Sequence, residues 1–346
     1  MSAAAILVTG GAGFIGSHTV VALAEAGYRP VVLDNFSNSR QSVLEGLRRL
    51  LGVEVPCYAA DCRDRAALLR ALERERVEGV IHFAAYKAVG ESVQEPLRYY
   101  RNNLDALLTL LEVMLEVGVR DVIFSSSCTV YGEPEQLPVT EASPVLPALS
   151  PYGNTKQIGE EILRDAVAAG KPLRVVSLRY FNPIGAHPSA LIGELPIGVP
   201  NNLVPYITQT AAGLRPELVI FGDDYATPDG TCIRDYIHVM DLAEAHVAAL
   251  RSLHRLGNIA THFDVFNIGT GRGASVLEVV QAFEEVSGRP LPCRIGPRRP
   301  GDVAAVYADV AKAREQLGWV ARRSLSEALA DAWRWEQHLP HRAPAL

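Results

Sequence analysis

Short, continuous apolar segments alternate with longer amphipathic segments along the first half of the chain. Continuous apolar runs of this length are typical of strands buried on both faces of a parallel sheet. The predicted strands cover residues 4–9, 31–34, 53–58, 79–83, 122–127 and 173–178. Apolar residues at helical spacing predict helices between them, of which the longest span residues 96–117 and 151–169. This alternation predicts an α/β fold of Rossmann type, a doubly wound parallel sheet with helices on both faces.

The pattern changes after Pro183. Residues 184–205 are rich in Gly, Pro and Asn and show little periodicity, which indicates that the chain leaves the sheet there. Shorter helices and strands follow. We therefore expect a Rossmann domain over residues 1–183, to which residues of about 237–270 return, and a smaller mixed α/β C-terminal lobe formed mainly by residues 184–346.

A glycine-rich turn follows the first predicted strand. Gly11, Gly13 and Gly16 fit the spacing G-x-G-x-x-G, a helix pattern follows, and the next strand ends at Asp34, eighteen residues after Gly16. Strand, turn, helix, strand and acid in this order form a dinucleotide-binding fingerprint. The carboxylate of Asp34 suits ribose hydroxyls and repels a 2′-phosphate, so the predicted cofactor is NAD rather than NADP.

Other polar residues follow the predicted strands. Asp61 is placed either to reach the adenine or to cap the next helix, and the sequence leaves both open. Lys87, after the fourth strand, can reach a ribose or a phosphate. His82 is better explained as a satisfied core residue than as a catalyst.

The segment from Ser127 to Lys156 contains the candidate catalytic side chains. Tyr152 and Lys156 lie four residues apart, so on a helix they share one face. A phenol titrates near pH ~10, and a neighbouring positive charge favours its phenolate. We therefore expect Lys156 to lower the pKa of Tyr152 and make it a proton acceptor, with Ser127 holding a substrate hydroxyl against it.

Composition narrows the function classes. A formal net charge of -6 and a pI near 5.9 argue against nucleic-acid binding. No apolar run approaches the ~18 residues of a membrane span, and no signal peptide is visible. The five cysteines form no CxxC pair and the nine histidines lack metal-ligand spacing, so we expect no metal and a cytoplasmic protein. Arg234 and the Arg298–Arg299 pair suit a diphosphate, with solvated surface side chains as the equal alternative.

Several stretches together resemble the UDP-glucose (UDP-galactose) 4-epimerases, a family of extended short-chain dehydrogenases/reductases. The glycine-rich turn, Ser127 and the Tyr152–Lys156 pair resemble the wider group. The narrower resemblance rests on the segments at 87–92, 179–189, 200–203, 221–225, 234–242 and 298–302. It spans nearly the whole chain and implies oxidation of a UDP-sugar at C4, rotation of the 4-keto sugar and its reduction on the other face.

The resemblance implies roles for individual residues. Tyr152 would be the acid and base at the sugar 4-hydroxyl, Ser127 would hydrogen-bond that hydroxyl, and Lys156 would bind the nicotinamide ribose. The NAD site would comprise Gly10, Gly13, Phe14, Ile15, Gly16, Asp34, Asn35, Asn38, Ser39, Asp61, Cys62, Phe83, Ala84, Lys87, Asn102, Tyr152, Lys156 and Tyr180. The UDP-sugar site would comprise Lys87, Ser127, Tyr152, Asn182, Asn202, Leu203, Val219, Phe221, Arg234, Tyr236, Arg299, Asp302 and Val306.

Two departures from the family pattern bear on specificity. Cys128 stands where Ala often follows the catalytic Ser, a small change of little expected effect. In the family, the position of Val306 limits the room around the C2 substituent, and the small Val implies activity on UDP-GlcNAc and UDP-GalNAc as well. The resemblance also implies a homodimer through the helices near 96–117 and 151–169.

Besides another UDP-sugar 4-epimerase of the same family, two other functions compete with UDP-glucose 4-epimerisation. A nucleotide-sugar 4,6-dehydratase shares the fold, NAD and the Tyr–Lys pair, but it needs an acidic pair just after the Ser or Thr, where this chain has Cys128 and Thr129. A non-catalytic NAD-binding sensor or scaffold has no need of Ser127, Tyr152 and Lys156 together.

Overall fold

The computed structural model describes residues 3–299 and 301–339, so Pro300 of the arginine-rich loop lies outside the described residues. The strands are β1 (Ala5–Thr9), β2 (Arg29–Asp34), β3 (Cys57–Ala59), β4 (Val77–His82), β5 (Asp121–Ser127), β6 (Arg174–Tyr180), β7 (Asn182–Ile184), β8 (Leu218–Phe221), β9 (Ile233–Arg234), β10 (Tyr236–His238), β11 (His262–Ile268), β12 (Ala274–Ser275), β13 (Cys293–Gly296) and β14 (Ala305–Val306). The α-helices are α1 (Phe14–Glu25), α2 (Ser42–Leu51), α3 (Arg65–Arg74), α4 (Val89–Gln94), α5 (Pro96–Val117), α6 (Pro151–Ala168), α7 (Leu203–Ala211), α8 (Val239–Arg255), α9 (Val276–Ser287) and α10 (Leu325–His338). A 3-10 turn (Cys128–Tyr131) and a π-helical turn (Ala313–Leu317) complete the regular structure of the described chain.

The central sheet confirms the predicted Rossmann-type architecture. Within the described residues it has seven strands in the order β11-β6-β5-β4-β1-β2-β3, all parallel. Helices cover both faces, and the apolar strand residues are buried against them in two separate clusters. In a parallel sheet with this order, the strand order reverses between β1 and β4, and ligands bind at the carboxyl ends of the strands beside that point.

The segment between β2 and β3 differs from the sequence-based prediction. Helix α2 was not predicted, although Leu47 is buried and its apolar neighbours Leu44 and Leu51 pack beside it. Gly52 ends the helix with a φ of 70°, a conformation that glycine adopts without strain. The third strand consequently starts at Cys57 rather than at Val53.

The described residues beyond β6 form three small sheets separate from the large one. Strand β7 pairs with β10, so that Asn182 lies opposite Tyr236. Strand β9 lies between β12 and β14, and Val306 is the partner of Arg234. Strand β8 pairs with β13. A separate apolar cluster that includes Phe283 and Trp333 supports these elements, while β11 joins the edge of the large sheet.

Two loops of the C-terminal part are joined to the rest of the chain through one carboxylate. Asp235 is fully buried between β9 and β10 and accepts hydrogen bonds from the backbone N–H groups of Thr270, Gly271 and Ala308. Three donors from two distant loops offset the cost of burying this carboxyl group. Asp235 thereby fixes β9, and with it Arg234, relative to the end of β11.

Candidate active site

A cavity of about 470 Å³ lies at the carboxyl ends of β1, β2, β4, β5 and β6. Every residue that the sequence analysis assigned to the NAD site lines this cavity, from Gly10 to Tyr180. The cavity also runs along Lys87, Tyr152 and Asn202, which belong to the predicted UDP-sugar site. Its size falls in the ordinary range for small-molecule sites, and its position follows the switch-point rule for α/β sheets.

The glycine-rich turn is shaped for close approach of a ligand. Gly10 has a φ of 70°, and a Cβ at Gly16 would collide with the carbonyl oxygen of Gly10. Helix α1 begins after Gly13 with no side chain capping it, and Gly13, Phe14 and Ile15 line the cavity. Uncapped N–H groups at a helix N-terminus suit a phosphate, so these residues fit a dinucleotide diphosphate.

Asp34 is held rigidly at the end of β2. Its carboxylate accepts hydrogen bonds from the backbone N–H of Ala12 (3.0 Å), the backbone N–H of Phe36 (2.8 Å) and the hydroxyl of Ser39 (2.9 Å). The side chain is buried by the protein but still lines the cavity. A fixed carboxylate at this place fits the ribose hydroxyls of NAD and disfavours a 2′-phosphate.

The structure decides between the two interpretations of Asp61. The cap of α3 is Asp64, whose carboxylate accepts from the backbone N–H of Ala67 at 3.0 Å. Asp61 instead lines the cavity and binds the side chains of Arg63 and Asn35. The hydrogen-bonded Arg63 guanidinium holds the pKa of Asp61 well below its usual range. Asp61 is therefore an ionised cavity residue and not a helix cap.

Local sequence sets the start of the helix that carries Tyr152. The hydroxyl of Ser150 caps α6 by accepting from the backbone N–H of Gly153 at 3.1 Å, and Pro151 occupies the first turn. Tyr152 and Lys156 then face the end of β5 on one side of α6 and both line the cavity. Ser127 is the last residue of β5 and approaches Tyr152, although it does not itself line the cavity.

The electrostatics at Tyr152 and Lys156 differ from the sequence-based expectation. Burial raises the pKa of Tyr152 to about 12, and the nearby Ser127 hydroxyl acts in the opposite direction. Burial lowers the pKa of Lys156 to about 7, with the Glu160 carboxylate partly offsetting it. The predicted lowering of the Tyr152 pKa by Lys156 is therefore not produced by the protein groups, because burial disfavours the charged form of both side chains.

Lys156 is anchored to the strand rather than to the phenol. Its Nζ donates to the carbonyl oxygen of Ser125 at 2.5 Å and lies 5.9 Å from the centre of the Tyr152 ring. The sequence analysis did not single out Ser125, which lines the cavity and also hydrogen-bonds the Tyr180 hydroxyl. The signal in the sequence that could have identified Ser125 is the run of three serines that ends β5.

A buried ion pair holds helix α6 against the central sheet. Glu160, one turn after Lys156, accepts hydrogen bonds from Arg179 Nε at 2.9 Å and from Arg179 Nη2 at 2.5 Å. Both side chains are almost fully buried. Glu160 also accepts from the hydroxyl of Ser126 at 2.5 Å, which ties α6 to β5 between Ser125 and Ser127.

Two arginines of the C-terminal part converge on one carboxylate. Arg299 donates to both oxygens of Asp302, at 2.9 and 3.0 Å, and Arg234 lies 3.8 Å from the same carboxylate. The Arg299 guanidinium also lies 5.7 Å from the centre of the half-exposed Phe221 ring. Planar donors beside an exposed aromatic ring can receive a diphosphate and a flat base.

The remaining predicted UDP-sugar residues occupy different places around this group. Val306 is buried beside Arg234 in an apolar cluster with Phe181 and the partly buried Cys128, and it does not line the cavity. Leu203 opens α7 directly after Asn202, and Val219 lies in β8 opposite Arg294. The structure thus brings Arg234, Asp302, Arg299 and Val306 together but places Val219 in another small sheet.

Glu194 was missed by the sequence analysis. It lines the cavity and accepts a hydrogen bond from the side-chain amide of Asn202 at 2.6 Å. It lies in the irregular Gly- and Pro-rich segment, where neither helical nor strand periodicity marks individual residues. In the described chain, moreover, no group of three or more His, Cys, Asp or Glu side chains is arranged to hold a metal ion.

Comparisons with known proteins agree with this geometry. Residues 7–332 match the family described as GDP-mannose 4,6 dehydratase. A curated UDP-glucose 4-epimerase of Bacillus subtilis is 54% identical over 332 residues, which cover 96% of each chain. The chain belongs to both families. Among solved structures, the UDP-glucose 4-epimerase of Stenotrophomonas maltophila with bound NAD and formylated UDP-arabinopyranose is 47% identical, with a TM-score of 0.93 over 96% of this chain and 98% of that one.

A second epimerase structure is equally similar. The UDP-glucose 4-epimerase of Bifidobacterium longum, in complex with NAD+ and UDP, is 47% identical with a TM-score of 0.93 and covers 97% of this chain and 99% of that one. This chain, a member of the UDP-glucose 4-epimerase family, combines the Tyr152–Lys156 pair, the glycine-rich turn and the two converging arginines in one fold. No helix in the described part of the chain is long and apolar enough to cross a membrane.

Proposed function

We propose that this chain interconverts UDP-glucose and UDP-galactose with NAD as its cofactor. The observation that carries the proposal is that Tyr152, Lys156 and Asp34 line the same cavity, at the switch point of the sheet. The fixed carboxylate of Asp34 selects NAD, and the uncapped start of α1 fits its diphosphate. NAD, when bound, accepts the hydride from C4 of the sugar and returns it.

Tyr152 moves the proton. As base it takes the proton of the C4 hydroxyl, and as acid it returns a proton to O4 after the 4-keto sugar has turned over. Ser127 orients this hydroxyl against the phenol. Bringing a phenol from a pKa of about 12 to near 7 requires roughly 7 kcal/mol of differential stabilisation at ~1.4 kcal/mol per pKa unit. We infer that positive charge brought to the cavity by the oxidised cofactor supplies much of this stabilisation, since burial makes any charge there strongly felt.

Arg234 and Arg299 hold the substrate diphosphate while the sugar rotates. They would exchange their contacts with Asp302 for contacts with phosphate oxygens, and Phe221 would lie beside the uracil. Asn182, Asn202, Leu203, Tyr236 and Val219 are proposed to complete this UDP-sugar site in the lobe that follows Pro183. A firm grip far from C4 leaves the sugar free to present either face, which epimerisation requires.

We further propose that UDP-GlcNAc and UDP-GalNAc are substrates. Val306 is small and lies directly beside Arg234, close to Cys128 at the end of the catalytic strand. A larger side chain there would crowd the space next to the sugar. The small side chain of Val306 at this position supports the proposal that an N-acetyl group at C2 is accepted.

Two wider proposals concern the protein in the cell. We propose a homodimer through α5 and α6, which pack together and leave Leu97 and Leu108 of α5 exposed. A sedimentation experiment on the wild-type chain and on Leu108→Glu tests this, because a charge in the interface would give a monomer. We propose the cytoplasm as its location, because no two of the described cysteines form a disulfide and disulfides are rare in that compartment.

One experiment separates epimerisation from its competitors. The holoenzyme is incubated with UDP-galactose without added NAD, and the product is followed by NMR. Formation of UDP-glucose supports the proposal, a 4-keto-6-deoxy sugar supports a dehydratase, and NAD-bound protein without turnover supports a sensor. Tyr152→Phe should lower kcat by about 10²–10⁴-fold, whereas Tyr28→Phe, at a site remote from the cavity, should not.

A further inference from the structure

Glu194 lies where the cofactor-side and substrate-side residues of the cavity meet. It belongs to the irregular segment between β7 and α7, and Gly193, Glu194 and Asn202 all line the cavity. Lys87, which follows β4 on the cofactor side, lines it as well. The side chain of Glu194 is only 14% exposed, whereas that of Lys87 is 45% exposed. An acidic group is thus nearly enclosed in a cavity that is expected to receive two diphosphates.

The carboxylate oxygen Oε1 of Glu194 is contacted by both Asn202 and Lys87. Asn202 Nδ2 donates to Glu194 Oε1 at 2.6 Å, and Lys87 Nζ approaches the same oxygen at 3.4 Å. Asn202 precedes the first residue of α7, so its position also sets the start of that helix. The carboxylate therefore links a residue after β4 to one at the start of α7, across 115 positions of the chain (202 − 87).

The backbone of Glu194 is clamped from behind. Trp335 of α10 donates from its indole Nε1 to the carbonyl oxygen of Glu194 at 2.8 Å. The backbone of Gly193 lies so close to the same indole that an added Cβ would be 2.5 Å from the ring. The indole of Trp335 thus fixes the backbone of Glu194, so less conformational entropy opposes the contacts that its side chain makes in the cavity.

We propose that Glu194 is a positioning residue that holds Lys87 and Asn202 on one carboxylate and so couples binding of the cofactor to binding of the UDP-sugar. This inference rests on the proposed function, because it takes Lys87 and Asn202 as ligand-binding residues. Oxygen atoms of a bound diphosphate would compete with the Glu194 carboxylate for the ammonium group of Lys87. During this exchange Glu194 would keep its hydrogen bond to Asn202 and so hold Asn202 in place. Coupling of this kind is reciprocal, so UDP should slow the loss of NAD and NAD should strengthen the binding of UDP.

The test compares four forms of the holoenzyme, each purified with its NAD. They are the wild type, Glu194→Ala, Glu194→Gln and, as a matched control, Glu73→Ala, which removes an exposed carboxylate of α3 outside the cavity. The affinity for UDP is measured by titration calorimetry. NAD retained after dialysis is measured with and without saturating UDP, and kcat and KM for UDP-galactose are recorded separately.

We expect Glu194→Ala to weaken UDP binding about tenfold, as for loss of a hydrogen bond to a charged group, while kcat changes by less than about threefold. The protection of NAD by UDP should be largely lost. Glu194→Gln keeps an acceptor for Asn202 and should regain most of the UDP affinity, a rescue that a general loosening of the loop would not show. Glu73→Ala should behave as the wild type.

Other results would overturn the inference. It fails if Glu194→Ala binds UDP within about twofold of the wild type, or if UDP protects NAD equally in both. Two further variants, Asn202→Ala and the double variant Glu194→Ala with Asn202→Ala, test the contact itself. The inference also fails if the losses of UDP affinity in the two single variants add in the double variant, since residues that act through one contact are not additive. A wild-type protein that shows the coupling but does not epimerise UDP-galactose would refute the proposed function and leave this inference standing.

Discussion

The ammonium group of Lys156 donates to the backbone carbonyl of Ser125, with Nζ and O 2.5 Å apart, and so joins α6 to the end of β5. The neighbouring Ser126 is joined to the same helix through Glu160. Ser127, the proposed substrate-orienting residue, directly follows these two anchored serines. The position of its hydroxyl relative to Tyr152 is therefore set by contacts that α6 makes with β5.

The first prediction concerns the Lys156 anchor. Lys156→Met keeps the length of the side chain but removes the donor to Ser125 and the positive charge near Tyr152. We expect kcat to fall by about 10²-fold or more, with the dissociation constant for UDP changed by less than about threefold, because no UDP contact is assigned to Lys156. Lys171→Met, at an exposed position, is the control for loss of a lysine. Equal losses of kcat in the two variants would contradict the assigned role.

The second prediction concerns cofactor choice at Asp34. Asp34→Ala removes the acceptor of the Ala12 and Phe36 N–H groups and of the Ser39 hydroxyl, and it removes the negative charge that disfavours a 2′-phosphate. We expect the purified variant to retain much less NAD, as measured by absorbance of the cofactor released with acid. Asp64→Ala, which uncaps α3 outside the cavity, should retain NAD at the wild-type level while losing some stability.

The third prediction concerns substrate range. Val306→Tyr should lower the activity on UDP-GalNAc relative to that on UDP-galactose by about tenfold or more, since crowding of one substituent costs at least that in a tight pocket. The two initial rates are compared for each variant by NMR or coupled assay. Val306→Thr, of nearly the same volume, should leave the ratio unchanged. An unchanged ratio in Val306→Tyr would show that this position does not limit the C2 substituent.

The fourth prediction concerns the buried pair of Glu160 and Arg179. Glu160→Gln leaves the Arg179 guanidinium buried without its counter-charge, which costs about 3–5 kcal/mol when a buried pair is broken. The free energy of unfolding from urea titration should fall accordingly. The double variant Glu160→Met with Arg179→Met should recover much of the loss, because no charge then remains buried. Glu45→Gln, which breaks an exposed pair with Arg48, should leave the urea midpoint unchanged.

The fifth prediction concerns acid sensitivity. Burial lowers the pKa of His18 and His82 from 6.5 to about 3 and that of His246 to about 4. Between pH 6.5 and these values the unfolded chain binds more protons than the folded one. The stability that these neutral histidines contribute is therefore present above pH 6.5 and is lost as the pH falls, at up to ~1.4 kcal/mol per pH unit for each group.

Urea titrations at pH 7.5 and at pH 5 measure this dependence. His82→Asn should reduce the difference in unfolding free energy between the two pH values, because one group that must be protonated on unfolding is gone. His338→Asn, at an exposed position, should leave the difference as in the wild type. An identical pH dependence in all three proteins would show that His82 is not held neutral by the fold.

Much of the fold and of the cofactor site follows from local sequence. The doubly wound sheet was predicted because buried strands and amphipathic helices alternate in short segments, and the turn at Gly10 to Gly16 is shaped by residues within seven positions of one another. Helix α2 was missed although Leu44, Leu47 and Leu51 carried its spacing. The cap at Asp64 could not be separated from Asp61, because two acids before one helix give the same pattern.

The sequence by itself identified the residues proposed to carry the chemistry: Asp34 after a Gly-rich turn, and Tyr152 one helical turn before Lys156. Only the tertiary structure decided how those groups ionise and which distant residues join them. Burial opposes the predicted lowering of the Tyr152 pKa. The hydrogen-bond partners of Glu194 are Lys87, from the other half of the chain, and Asn202. Periodicity and spacing report neighbours within a turn or a strand, whereas desolvation and long-range pairing depend on how the packed elements enclose each group.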